Sequence, residues 1–292
     1  MPNAQREAGL KRIIITGDDF GLARPVNEAI VEAHSHGILT TASLMVGAAY
    51  CKDAVERMKE VPSLKVGLHL TLVEGKPILE PREVPHLVDA NGAFSTRLVQ
   101  AGFRFFFFPG IREQLETEIR AQFEAFTKTG LTLDHVNAHN HMHLHPTVLK
   151  LILKVGKDYG LRAVRVPNEP PVTCWKASGK SLGSRLASWT ALYPWMSLMK
   201  RMLRRANVRY NDFLYGMSDS GHMTADLATR LVRGLPRGVT EFCFHPATRR
   251  CEEIDNTMPF YEHEQELEAL TSESLRQAVE ASGAERVSFC DI

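Results

Sequence analysis

Short β-branched apolar runs alternate with helix-spaced stretches along most of this chain. Ile13, Ile14 and Ile15 form a continuous apolar run at the centre of residues 12–16, as expected of a strand buried on both faces. Residues 25–34 then carry Val26, Ile30 and Ala33 at helical spacing, with Pro25 suited to a first turn. Further strands are predicted at 40–46, 64–71, 163–167, 239–244 and 287–289. Helices are predicted at 53–59, 111–126, 148–155 and 262–281. The clearest helix sets Ile111, Leu115, Ile119, Phe123 and Phe126 on one face. This alternation predicts an α/β fold: one domain over residues 1–292, a parallel β/α barrel of the TIM-barrel type with irregular features.

Residues 168–215 break the rhythm and read as a hydrophobic helical insertion. Within them, 186–205 brings Trp189, Leu192, Tyr193, Trp195, Met196 and Met199 next to Lys200, Arg201, Arg204 and Arg205. Such a helix suits a membrane surface, but its apolar part is too short to span a bilayer. Packing on the barrel, or pairing in a homo-oligomer, explains the same stripe equally well. Phe103 and Phe105, Phe106, Phe107 and Phe108 form a second apolar segment that could join it in a greasy rim.

Composition narrows the classes. A net charge of +1 over 292 residues argues against a broad nucleic-acid footprint. The five cysteines are scattered without a C-x-x-C pair, which fits a reduced, cytoplasmic setting with peripheral contact at the inner membrane face as the further expectation. Residues 1–11 are polar and lack the apolar core of a signal peptide.

The chemistry is concentrated at residues 134–145, where five histidines stand at 135, 139, 141, 143 and 145. In an extended chain these imidazoles, with Asn137, would share one face. Asp18 and Asp19 follow the first strand, His69 lies near the end of the third, and His245 follows the strand at 239–244. Singly, each has a plain structural explanation: an Asp pair can cap a helix and a lone His can be a satisfied core residue. Together they sit at strand carboxyl ends, which converge on one face of a barrel. Two imidazoles and one carboxylate would make a three-ligand catalytic metal site, leaving a second carboxylate as base and a distant histidine as acid.

The run Thr-Gly-Asp-Asp-Phe-Gly at 16–21, Gly-Leu-His-Leu-Thr at 67–71 with Glu-Gly-Lys-Pro at 74–77, Asn-Ala-His-Asn-His-Met-His at 137–143 and Phe-His-Pro at 244–246 resemble the YdjC-like carbohydrate deacetylases. Within them the chain is most similar to the deacetylases associated with hopanoid biosynthesis, by Thr16 and Gly17 before the Asp pair and the hydrophobic stretch near Trp189. The resemblance implies a β/α barrel and one divalent metal held by Asp19, His69 and His139. It implies Asp18 as general base in removing the N-acetyl group of an amino sugar, and the hopanoid-associated subgroup points to a glycosylated hopanoid lipid as the substrate. Protonated His245 would then donate to the departing amine, and His141 and His143 would orient ligands or bind sugar hydroxyls. Asn140 stands where a further histidine is frequent and should not be a ligand. The donor set favours Zn2+, with Mg2+ the alternative. Deacetylation of soluble chitooligosaccharides such as diacetylchitobiose, or metal and sugar binding without turnover, are the competing readings. A phosphoesterase would call for more carboxylates and basic phosphate clamps than the chain offers.

Overall fold

The computed structural model describes residues 10–292; the N-terminal stretch read above for a signal-peptide core lies, through residue 9, outside the described residues. Seven strands form one sheet: β1 (Lys11–Phe20), β2 (Thr41–Leu44), β3 (Lys65–Leu70), β4 (Leu133–Ala138), β5 (Phe213–Tyr215), β6 (Gly238–Phe244) and β7 (Glu285–Arg286). Every pairing is parallel, in the order β4-β3-β2-β1-β6-β5, with β7 beside β1. The sheet is curled into a half-barrel flanked by helices. Between β4 and β5 there is no ladder, only single bridges: Val136 to Val164 and Ala163 to Arg209. The strand expected at 163–167 is thus reduced to isolated contacts. One reason is visible: Pro167 has no N–H, and the Asn211 side chain bonds both the N–H and the carbonyl of Val166.

The helices are α1 (Arg24–Ser35), α2 (Cys51–Arg57), α3 (Leu98–Phe107), α4 (Pro109–Lys128), α5 (Pro146–Gly156), α6 (Pro171–Ser178), α7 (Leu182–Arg205), α8 (Ala225–Arg233), α9 (Glu252–Thr257), α10 (His263–Thr271) and α11 (Glu273–Ala281). Periodicity placed the central ones correctly. Val26, Ile30 and Ala33 of α1 are buried, as are Ile111, Leu115, Ile119, Phe123 and Phe126 of α4. They join Ile13, Ile15 and Phe20 in the largest apolar cluster. The single helix expected at 262–281 is two. Ser272 breaks it with extended backbone (φ −70°, ψ 137°), and its hydroxyl accepts the Leu275 N–H to cap α11.

The larger departure lies in the histidine stretch. β4 ends at Ala138, and His139–Leu144 is a 3₁₀ turn in which Asn140 and His141 are both left-handed (φ 51° and 52°). Alternation therefore holds only inside β4, where His135 and Asn137 both reach the Ser43 hydroxyl. His135 is structural: it bonds Asp134, stacks on Phe289, and crowds Gly67 so closely that a Cβ there would lie 2.5 Å from its ring.

Asp134 ties three parts of the chain together, accepting from the Thr41 hydroxyl (2.9 Å), His135 Nδ1 (2.9 Å) and the Cys290 N–H (2.8 Å). Burial alone would raise its pKa, but His135 and the other donors hold it down at about 2. A folded value below the unfolded one stabilises the fold above pH ~4, and that contribution, about 2 kcal/mol, is lost as pH falls toward 2. Urea midpoints measured from pH 5 to 2.5 should therefore fall less steeply for Asp134→Asn than for the parent. Parallel curves would remove this role.

Candidate active site

Adjacent residues of a regular strand point to opposite faces, yet Asp18 and Asp19 both lie beside His69. The β1–β2 register shifts between Gly17 and Phe20, and Asp19 is left-handed (φ 63°). This bulge re-aims the two neighbouring carboxylates. A left-handed Asp carries a modest backbone cost, of the kind that clusters at functional sites.

His69, near the end of β3, and His139, the first residue past β4, close on Asp19. His69 Nε2 lies 3.2 Å and His139 Nδ1 3.3 Å from the same Asp19 oxygen. One ligand-type atom from each of the three falls within 4.8 Å of the others, and all three residues are buried. Asn137 fixes the His69 tautomer: its Oδ1, 2.7 Å away, accepts a hydrogen bond from the Nδ1–H, so the Nε2 lone pair faces Asp19. Both Asp19 oxygens and His69 Nε2 are buried without a hydrogen-bond partner. Converging buried acceptors repel one another unless a cation lies among them, so this donor set fits a divalent metal. Protonation of His139 gives the same message. Burial opposes it, but the carboxylates of Asp19 and Glu74 push its pKa up to about 10. The two histidine rings in turn hold Asp19 far below the ordinary carboxylate range against the opposing effect of burial.

Asp18 belongs to a different network. Arg165 grips it with both terminal nitrogens (2.5 and 3.0 Å), Asn137 donates to Oδ1 (3.1 Å) and the Cys243 thiol to Oδ2 (3.0 Å). The same guanidinium bonds Glu241, which also accepts from Thr16. Burial would raise the Asp18 pKa, but Arg165 keeps it well below the usual range, so the carboxylate is ionised.

His245 follows β6 and lines the same cleft, with Nδ1 3.4 Å from the Ser220 hydroxyl. Its backbone N–H donates to Glu266 and its carbonyl accepts from His263. Burial depresses the imidazole below its ordinary value, which favours the neutral ring at rest. The cleft, about 300 Å³, is also lined by Glu74, His141, Met217 and Tyr261.

All five residues expected from sequence are therefore gathered in one place. His143 is not at the cleft: its Nδ1 accepts the Ala138 N–H inside the 3₁₀ turn. His145 packs edge-on against Phe105 and Phe106. Arg165, Glu241, Cys243 and Glu74 were missed. Arg165 left one signal, a lone charge in the apolar run 163–167.

A parallel α/β half-barrel with a candidate two-histidine, one-carboxylate centre at its strand carboxyl ends is thereby defined. The chain belongs to the YdjC-like protein family, whose family model matches residues 12–281. It is similar to a carbohydrate deacetylase of Brevibacillus brevis, 39% identical over 163 residues, which cover 55% of this chain and 59% of that protein. The chain thus spans about three fifths of that relative's length. A carbohydrate deacetylase of Thermoanaerobacter pseudethanolicus matches at 27% identity over 92% of this chain and 94% of its own. Among solved structures, one described as a candidate cellobiose-phosphate cleavage protein from Enterococcus faecalis V583 superposes with a TM-score of 0.75. It is 25% identical and covers 96% of this chain and 98% of its own.

Proposed function

We propose that this chain hydrolyses the N-acetyl group of an amino sugar, with residues 1–292 acting as one barrel-like domain. The observation that carries the reading is the meeting of unpartnered Asp19 and His69 atoms with His139, Asp18 and His245 in one cleft. Family membership and the relatives' names agree with it. Asp19, His69 and His139 would hold one divalent metal, which supplies a Lewis acid for the amide carbonyl and makes water acidic enough to attack near neutral pH. Zinc suits two imidazoles and one carboxylate better than magnesium does, since magnesium prefers oxygen ligands.

Water adds its oxygen to the acetyl carbon, the carbon–nitrogen bond breaks, and the amine leaves with a proton. Asp18 takes the water proton. A carboxylate offers about four acceptor sites, and Arg165, Asn137 and Cys243 fill all four at Asp18. The thiol is the weakest of these donors, so Cys243 is the bond that yields to the incoming proton. His245, neutral at rest, receives that proton and delivers it to the nitrogen. One atom from each of Asp18, Cys243 and His245 lies within 4.8 Å of the others, close enough for a water-assisted hand-over. Asp18→Asn should keep metal and fold while losing ~10²–10⁴-fold in turnover. Cys243→Ala should retain most activity and Cys243→Ser should lose more, because a hydroxyl competes harder for Oδ2. The reverse order would refute the yielding-thiol role.

The substrate is read as an N-acetylglucosaminyl hopanoid, a lipid-linked sugar met at the inner membrane face, with 186–205 turned toward it. The motif resemblance and the exposed apolar side chains of α7 support this. No helix among the described residues is long and apolar enough to cross a membrane. The test is acetate release from the hopanoid glycoside and from diacetylchitobiose, each with zinc or magnesium. Release from the first at the higher rate is expected; release from neither overturns the activity.

A further inference from the structure

Beside the cleft runs a second, larger cavity of about 550 Å³ whose chemistry is the opposite of the first. Helix α3 supplies one wall with Val99, Phe103, Phe106 and Phe107, and α7 supplies the other with Leu192 and Trp195. Met142, Leu144 and Pro146 make its floor, and the only polar side chains among the lining residues are His141 and His145. Its outer lip is wet: Val99 is 88%, Phe103 58%, Phe107 56% and Trp195 43% exposed. A contiguous exposed apolar surface of this kind marks a binding site rather than ordinary surface, and the volume falls in the range of small-molecule pockets. Leu98 and His141 line this groove and the polar cleft alike. The left-handed backbone at Asn140 and His141 is what sets the His141 ring at that junction, two residues beyond His139.

We infer that the groove is the subsite for an uncharged hydrocarbon group joined to the sugar whose N-acetyl group enters the cleft. This rests on the proposed deacetylation only for the sugar half. A molecule that fills both cavities must be amphiphilic, because one is lined by titratable side chains and the other by aromatic and aliphatic ones. Its two halves must meet at Leu98 and His141, the shared boundary. No lysine, arginine or carboxylate is among the groove's lining residues, so nothing there pairs with a charged headgroup. The groove therefore selects on the length of the apolar group, and it does so beside the reacting centre rather than at a remote surface.

The test is calorimetric titration of the metal-loaded full chain with methyl, hexyl and dodecyl N-acetylglucosaminides below their micelle concentrations, with acetate release followed in parallel. Each buried methylene is favourable, so the dodecyl glycoside should bind at least ~tenfold more tightly than the methyl one. Phe103→Asp and Val99→Asp, both at exposed positions, should erase that chain-length dependence and leave the methyl glycoside unaffected. Equal affinity for all three glycosides in the parent protein overturns the proposal. So does a parent dimer that these variants dissociate in light scattering, since the groove would then be a subunit interface. Binding that grows with chain length without acetate release upholds the subsite and counts only against deacetylation.

Discussion

Asp19→Asn is expected to stop metal binding without breaking the fold. Asparagine tolerates the left-handed backbone that Asp19 adopts (φ 63°), so the bulge in β1 survives. What disappears is the charge between His69 and His139, at 3.2 and 3.3 Å. Removing even a supporting partner of a metal ligand typically costs ~10–100-fold in affinity, and loss of the sole carboxylate ligand should cost more. A ligand that binds only the folded state stabilises it by about 2.7 kcal/mol at a hundredfold excess over its Kd. The parent should therefore melt at a higher temperature when zinc is added, and Asp19→Asn should not. His69→Ala and His139→Ala should behave the same way toward metal, with activity lost in all three. Stoichiometric metal retained in the variants, read by elemental analysis, would break the ligand assignment. His139 carries a proton up to about pH 10 between Asp19 and Glu74, so metal has to displace it. Affinity should rise with pH across the neutral range.

How far the sequence reveals this site depends on the range over which its residues act. The apolar run Ile13, Ile14, Ile15 and the α4 stripe are local patterns, and both appear where periodicity puts them. Asp18, Asp19, His69, His139 and His245 were legible because each stands at the end of a readable strand, and strand ends of a parallel sheet gather on one side. Alternation then misled at His141, His143 and His145. It assumes extended backbone, whereas two left-handed residues begin a turn directly after His139. Nothing local forbade that turn or demanded it; Pro146 opening α5 only required that the strand be over by then. Helix α3 was seen as an apolar segment without its helical form, and α8 was not seen at all. Arg165 was beyond reach for another reason. Its partners Asp18 and Glu241 lie 147 and 76 residues away in sequence, and only the curled sheet makes them neighbours.

Arg165 is also where a single substitution should do most damage to the fold. It is fully buried between Asp18 and Glu241, themselves almost entirely buried, and makes four hydrogen bonds with them, two to each carboxylate. Taken alone, such a network is weak grounds for stability, because desolvating the three charges offsets much of their attraction. Breaking it is different. Arg165→Met leaves two carboxylates facing each other in a low-dielectric interior, and removing one partner of a buried pair typically costs ~3–5 kcal/mol. That is comparable to a large share of a domain's net stability. Arg165→Met should therefore express poorly or unfold well below the parent's urea midpoint. Arg165→Lys should fold better and still work badly, since an ammonium cannot hold Asp18 by two parallel bonds. The decisive comparison is Arg165→Met with Glu241→Met added: removing the second carboxylate should restore part of the lost stability but not the activity, because Asp18 remains unoriented. If the double variant is no more stable than Arg165→Met, repulsion between the two carboxylates is not what the arginine holds in check.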